Sequence, residues 1–391
     1  MDLALTNGRV MIDAGLAEGL AVVLAADRIA AVAPAADLPA DLPRRDLGGG
    51  LLLPGFIDIQ VNGGGGALFN DSPTAAAIAT IGAAHRRFGT TGFLPTLISD
   101  GLTTVGAALA AVGEAIGAAT PGVLGVHIEG PFLNSERRGI HEASRLRRMD
   151  REGLDVLTSL HVGRTLVTLA PEMLEPGDIA RLVGAGVIVS AGHTNATYDE
   201  VIEALDQGLT GFTHLFNAMS PLAPRAPGAV GAALYDPRPW CGIIVDGRHI
   251  DPVVLKIALR CRPRDRFMLI TDAMPCVGGP RDSFSLQGKL ITVRDGACFD
   301  ETGALAGSDL DMAAALRNAV ELLDLDLAQA SAMASGNPAS FLGLGRELGR
   351  IAPGYRADLV LLDDALHVQE TWISGRDSLH FEPPMGEWRS A

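Results

Sequence analysis

The chain has 391 residues, of which 48% are hydrophobic and 5% aromatic, and its formal net charge is −15. That length exceeds one ordinary domain and allows a large core beside a smaller unit, while the negative charge argues against a general affinity for nucleic acid or anionic membranes. No run of about 18 apolar residues is free of charge, so no membrane span is expected. The opening MDLALTNG has neither a basic nor an apolar leader, and the four cysteines (Cys241, Cys261, Cys276, Cys298) form no CxxC pair, which together predict free thiols in a reducing cytoplasm.

In chain order, LALTNGRV, GLAVVLAADRIAAVAP and LGGGLLLPG are short apolar runs between turn residues and predict β-hairpins. The pattern then changes. The runs FIDIQV, GFLPTLI, VLGVHIE, LVTLAPE, VIVSAGH, FTHLFNA, GIIVDG and FMLITDA alternate with helical or loop stretches. The helical ones include an Ala-rich segment at 103–118 and amphipathic segments at 198–207 and 252–260. Eight strand–helix units predict a (β/α)8, TIM-like barrel. In LAGSDLDMAAALRNAV, Ser308 and Asp311 fit a capping box before a helix. The tail GRIAPGYRADLVLLDDALHVQETWISGR predicts at least two more strands, expected to meet the N-terminal ones in a small β unit.

Polar residues gather where the apolar runs end. Glu129, His193, His214 and Asp272 each lie at or just past the C-terminal end of such a run, and in a barrel those ends converge on one face. Each alone also fits an ordinary loop or core hydrogen bond. Together, one carboxylate and two imidazoles suit a catalytic Zn2+ with a position left open for water, and Asp272 suits a proton-transfer role beside it. His141 and His249 are candidates for substrate contact; His127 shares the inward face of Glu129 and reads as a supporting or core residue. His85, His161, His367 and His380 lie in peripheral segments with no catalytic role expected. Gly63–Gly66 lacks the Lys-Ser/Thr of a phosphate-binding loop and reads as a flexible segment beside the active face. Arg225, in SPLAPRAPG, fits either an exposed surface position or a bidentate phosphate contact.

HIEGPFL, GIHE, SAGHTNATYDE, THLFNAMSPL, GIIVDGRHID, ITDAMP, LAGSDLDM and NPASFLGL, in that order, resemble the N-acetylglucosamine-6-phosphate deacetylase family of the amidohydrolase superfamily, from about Leu51 to the end of the chain. The resemblance implies an α/β fold: a barrel over 54–346 and a small β-sandwich built from 1–53 and 347–391. It implies hydrolysis of the N-acetyl group to glucosamine 6-phosphate and acetate. It makes Glu129, His193 and His214 the metal ligands and Asp272 the acid/base. His141, Asn217, Ala218, Arg225 and His249 would contact the sugar phosphate, with Leu305, Ala306 and Gly307 lining the pocket. In similar enzymes the phosphate-binding arginine can come from a neighbouring subunit, so a homodimer is expected. The loop that often reads Arg-Glu-Pro-Gly in relatives is RAPG here, with Ala226 in place of the acid.

Some members carry His-x-His on the first strand; here those positions are Gln60 and Asn62. Neutral amides are poor ligands for Zn2+ beside imidazole. One divalent ion is therefore expected: Zn2+ first, with Fe2+, Co2+ and Mn2+ acceptable to the same ligands. The epimeric N-acetylgalactosamine 6-phosphate is the alternative substrate, since no residue decides that hydroxyl. A dihydroorotase-like enzyme with two ions bridged by a carboxylated lysine fits less well, because neither Lys256 nor Lys289 ends a predicted barrel strand.

Overall fold

The structure, a computed structural model, describes residues 2–280 and 282–378; His380 lies outside them. The eight apolar runs form one parallel sheet in sequence order: β1 (Phe56–Val61), β2 (Thr90–Ile98), β3 (Gly125–Glu129), β4 (Arg164–Leu169), β5 (Ile188–Ala191), β6 (Gly211–Phe212), β7 (Trp240–Ile243) and β8 (Phe267–Leu269). The ends of the sheet meet just past β8, where Val61 forms a parallel bridge with Ala273 and the Asp272 N–H donates to the Gln60 carbonyl at 3.1 Å. β1, β2 and β3 are buried at every position, which explains why they read as unbroken apolar runs.

Helices follow the strands and cover them. The segment at 103–118 forms the helix Leu102–Gly117, which buries Val105, Ala108, Leu109 and Val112. Tyr198–Asp206 starts at a capping box in which Thr197 and Glu200 exchange bonds, and it buries Val201, Ala204 and Leu205 at helical spacing. Pro252–Cys261 begins with Asp251 accepting from the Val253 N–H and with proline in its first turn, where a missing N–H costs nothing.

The chain's two ends interleave. A six-stranded sheet pairs Leu359–Leu362 antiparallel with Leu51–Pro54, and it also contains Arg9–Ile12, Gly15–Ala17, Val368–Ile373 and Arg376–Asp377. A four-stranded sheet from the N-terminal segments faces it. Alternation along the shared strands serves two cores. Leu52, Leu359, Leu361 and Trp372 pack with Leu5, Val22 and Ile29. Leu51, Leu53, Val360 and Leu362 turn the other way and join the barrel's core.

One sheet was not anticipated. Four short antiparallel strands, Ser283–Leu286, Lys289–Arg294, Ala297–Phe299 and Leu305–Ser308, lie between β8 and the helix Met312–Leu323. The last strand is tied to the end of β8. Ser308 N–H donates to the Asp272 carbonyl at 3.0 Å, and Ser308 Oγ donates to the Thr271 carbonyl at 2.6 Å. This corrects the capping-box reading: Ser308 is committed to the barrel seam, and Asp311 alone caps the helix, accepting from the Ala314 N–H at 2.8 Å.

The thiols are free, with Cys241, Cys276 and Cys298 buried and Cys261 exposed. No helix among the described residues is long and apolar enough to cross a membrane.

Candidate metal centre and active site

Glu129 ends β3, His193 lies two residues past β5 and His214 two residues past β6. Their ligand atoms converge. Glu129 Oε1 is 3.0 Å from His193 Nε2 and 2.9 Å from His214 Nε2, and the two Nε2 atoms are 3.0 Å apart. All three residues are buried, and among the described residues this is the group of His, Cys, Asp or Glu side chains close enough to hold an ion.

The chemistry of this cluster calls for a cation. His193 Nδ1 lies 2.8 Å from the Arg137 carbonyl, which can only accept, so Nδ1 carries the proton and Nε2 presents a lone pair to the carboxylate. Two ring nitrogens and a carboxylate oxygen at such distances repel unless a positive charge lies among them. Donors bound to Zn2+ at about 2.0–2.2 Å in tetrahedral geometry sit about 3.3–3.6 Å apart, a few tenths of an ångström wider than the 2.9–3.0 Å observed. With a ring hydrogen in place of an ion, burial acts to raise the Glu129 carboxyl, but hydrogen bonds and charge from His193 and His214 outweigh it and hold the group well below its usual range. Burial likewise acts to lower His214, and the Glu129 carboxylate reverses this, leaving it raised.

The remaining site residues surround this cluster. Asp272 is raised above the usual carboxylate range, first by burial and then by the charge of Glu129. The His141 ring packs edge-on to His193 at 4.4 Å between centroids. The backbone N–H of Ser99 donates to His141 Nδ1 at 3.3 Å, and the Ser99 hydroxyl lies 2.7 Å from the same nitrogen. Nδ1 is thus the acceptor, and the proton sits on Nε2, free to donate toward the cavity. Burial, then the neighbouring His193, hold His141 well below its ordinary pKa, in its neutral form. His249 is held by Asp246, whose Oδ2 lies 2.5 Å from Nδ1.

Backbone strain marks the same residues. His193, His214, Phe216, Ala218 and Asp272 have φ of 48°, 35°, 78°, 50° and 53°. Non-glycine residues avoid this left-handed region at a cost of about 1–3 kcal/mol each. His193, His214, Ala218 and Asp272 among them line the cavity, while Phe216 packs against the barrel's core.

A cavity of about 320 Å³ opens over the cluster. Its walls include Asn62, Glu129, His141, His193, His214, Asn217, Ala218, His249, Asp272, Leu305 and Gly307. Two predicted residues lie elsewhere. Ala306, between two lining residues on a strand, faces the opposite side and packs with Met274, Cys276, Leu286 and Cys298. Arg225 is exposed in the 221–227 loop, outside the cavity of its own chain. His127 is fully buried beneath Glu129, 2.7 Å from Thr168 Oγ1, and burial lowers its pKa to about 4.

Several contributors escaped the sequence reading. Arg137 lines the cavity with its Nε bonded to Asn195 Oδ1 at 3.0 Å. Glu172 ties three loop groups together, accepting from Asn134 Nδ2, the Asn195 N–H and Thr194 Oγ1. Asp58 is a buried residue of β1 and accepts from Thr271 Oγ1 at 2.5 Å, and burial raises its carboxyl to about 7. The alternation in FIDIQVN could have exposed Asp58, since it shares the inward face of Gln60 and Asn62. Nothing local marked Arg137 or Glu172. His85, placed at the periphery by the sequence reading, is fully buried in the helix Ala75–Arg86, with Nε2 2.9 Å from the Gly63 carbonyl.

A parallel barrel with a carboxylate–imidazole cluster at its C-terminal face, and an aspartate past the eighth strand, defines a metal-dependent hydrolase. The chain belongs to the amidohydrolase family, which its residues 51–377 match, while residues 3–52 match the NagA composite domain. It is 44% identical over 343 residues to an N-acetylgalactosamine-6-phosphate deacetylase of Shewanella sp. (strain ANA-3), covering 87% of this chain and 86% of that protein. It is 34% identical over 378 residues to the N-acetylglucosamine-6-phosphate deacetylase of Haemophilus influenzae, covering 96% and 99%. Among solved structures it is similar to the N-acetylglucosamine-6-phosphate deacetylase of Pasteurella multocida, with a TM-score of 0.93, 34% identity and coverage of 97% and 100%. The corresponding enzyme of Mycobacterium smegmatis, solved in complex with N-acetyl-D-glucosamine-6-phosphate, gives a TM-score of 0.87 at 34% identity, covering 96% and 98%.

Proposed function

We propose that this enzyme hydrolyses the N-acetyl group of N-acetyl-D-glucosamine 6-phosphate, releasing acetate and D-glucosamine 6-phosphate, with one divalent ion per chain held by Glu129, His193 and His214. The observation that carries this reading is the convergence of those three ligand atoms in one cavity with Asp272 and His141. Zn2+ is the ion that the one-carboxylate, two-imidazole set suits best.

The chemistry a bound ion supplies there is acidification of water, from a pKa of about 16 toward roughly 7, and polarisation of the acetyl carbonyl. Asp272 takes the proton as water attacks the carbonyl carbon and returns it to the nitrogen as the C–N bond breaks. His141, protonated on Nε2, donates to the oxygen that gains negative charge. Asn217, the Ala218 backbone and His249 hold the sugar phosphate, and the Arg137 guanidinium supplies positive charge in a chain whose net charge is −15. Arg225, exposed outside its own cavity, reaches the phosphate of a neighbouring subunit in a homodimer. Ala226 leaves that guanidinium without the adjacent acid that relatives often carry. Residues 54–346 act as the hydrolase barrel, with 1–53 and 347–391 as the supporting β unit, in the cytoplasm.

A second reading exchanges the sugar for N-acetylgalactosamine 6-phosphate, and the 44% identity to a deacetylase of that name favours it. Acetate release measured side by side on both phosphates and on unphosphorylated N-acetylglucosamine separates the possibilities. A kcat/KM highest on the glucosamine epimer supports the first reading. A preference for the galactosamine epimer replaces it with the second, and failure to release acetate from either ends both.

A further inference from the structure

Gln60 and Asn62 stand where an imidazole pair would hold a second ion, and each is only 1% exposed. Their nitrogens face carboxylates. Asn62 Nδ2 donates to Asp272 Oδ1 at 2.7 Å, and Gln60 Nε2 donates to the same oxygen at 3.2 Å and to Glu129 Oε2 at 3.0 Å. An amide oxygen in either place would meet carboxylate oxygens, so charge alone assigns the nitrogens. The two amide oxygens, Gln60 Oε1 and Asn62 Oδ1, are buried without a protein partner. Neither side chain is therefore occupied in holding up the barrel; the bonds they make run to the reacting centre.

Asp272, half-buried, and Glu129, buried, are two carboxylates lining one cavity, and their charges repel. A second cation between them would remove that repulsion and fix the direction of the aspartate. Two neutral donors achieve part of the same effect without occupying the space of an ion. Asp272 Oδ1 accepts both amide bonds, which restricts rotation of the carboxylate and leaves Oδ2 out of the bonds to the first strand.

We propose that Gln60 and Asn62 are positioning residues for Asp272: a pair of neutral donors that hold its Oδ1 and leave Oδ2 to take and return the proton, with Gln60 tying that carboxylate to Glu129. This rests on the hydrolytic reading in which Asp272 moves the proton. The first strand then identifies a one-ion enzyme by what its amides do as well as by the ligands it lacks.

The test compares purified holoenzymes carrying Asn62→Leu, which keeps the shape and loses the donor without adding charge, and Gln60→Met, which keeps the length and loses the amide. Steady-state kinetics, metal content and thermal melting are read for each. The expected result is a kcat roughly 10- to 100-fold lower, with KM and metal content unchanged. In an Asp272→Asn background the same changes should cost nothing further, because the group they orient no longer carries a proton; a merely structural loss would add. Wild-type kcat in both variants, a kcat loss that tracks lost metal, or full additivity with Asp272→Asn would each overturn the proposal. If Asn62→Leu fails to fold, Gln60→Met decides alone. A wild-type enzyme inactive on both sugar phosphates would instead sink the functional reading, whereas an active wild type beside fully active variants sinks only this one.

Discussion

His193 Nδ1 donates to the backbone carbonyl of Arg137 across 2.8 Å, while the Arg137 side chain is held by Asn195, two residues beyond His193. The loop after β3 and the loop after β5 therefore brace each other, and the brace fixes which ring nitrogen of His193 faces Glu129 and His214. Asn195 also donates to Glu136 at 2.9 Å, so Asn195→Ala removes both links. The expected effect is a rise in the metal dissociation constant of about 10-fold, read by competition with a chelator of known affinity. An unchanged affinity would show that the His193 carbonyl contact stands without the side-chain brace.

Replacing His141 with Asn removes the Nε2 donor without adding bulk. The expected loss in kcat is about 10²- to 10³-fold, the range seen when one donor to a developing oxyanion is deleted, with metal content unchanged. Steady-state kinetics on the phosphorylated sugar check it. A variant impaired in KM alone would assign His141 to substrate holding instead.

Arg225→Ala should raise KM for the phosphorylated sugar while leaving the slow reaction of unphosphorylated N-acetylglucosamine unaffected, because a phosphate contact binds only the former. Equal losses on both sugars would remove the phosphate contact from the account. Mixing Arg225→Ala with Asp272→Asn tests the subunit assignment. If the arginine acts across an interface, re-formed heterodimers place one intact site beside one doubly damaged site, and activity recovers toward half that of the wild type.

His85 gives a pH dependence of stability in which no group of the proposed catalytic chemistry titrates. Burial lowers its pKa from 6.5 to about 4, against a partly opposing bond to the Gly63 carbonyl. The unfolded chain therefore binds more protons than the folded one between those values, and stability falls as pH drops through that window. The contribution from this residue reaches about 3 kcal/mol at its limit. Urea unfolding of His85→Gln, which retains a donor for Gly63, should show a flatter loss of stability than wild type between pH 6.5 and 4. Parallel curves would mean that His85 is not the group responsible.

Much of the fold was legible because a parallel barrel buries its strands on both faces. GVHIE and FIDIQV stand out as apolar runs, and their polar residues sit where the run ends or on the inward face. The sheet at 283–308 was not legible: Ser283–Leu286 has three of its four residues at least partly exposed, so no apolar run announces it. The metal cluster was visible as residue types at strand ends. Its supports were not, because a carbonyl such as that of Arg137 leaves no trace in sequence. Ala306 was misplaced with its neighbours because a contiguous stretch was assigned to one surface, while a strand alternates. The direction of the Gln60 and Asn62 amides needed coordinates, although their identity did not.

A single ion at Glu129, His193 and His214, working beside Asp272, is the centre of the proposed mechanism. Elemental analysis of the purified enzyme, followed by chelation and stepwise return of Zn2+ with acetate release measured at each step, tests this most directly. The prediction is one ion per chain, activity abolished on chelation and restored in proportion up to one equivalent, and Asp272→Asn binding the same single ion while losing about 10²- to 10⁴-fold in turnover. Full activity in the exhaustively chelated protein, or activity that requires a second equivalent, would contradict it.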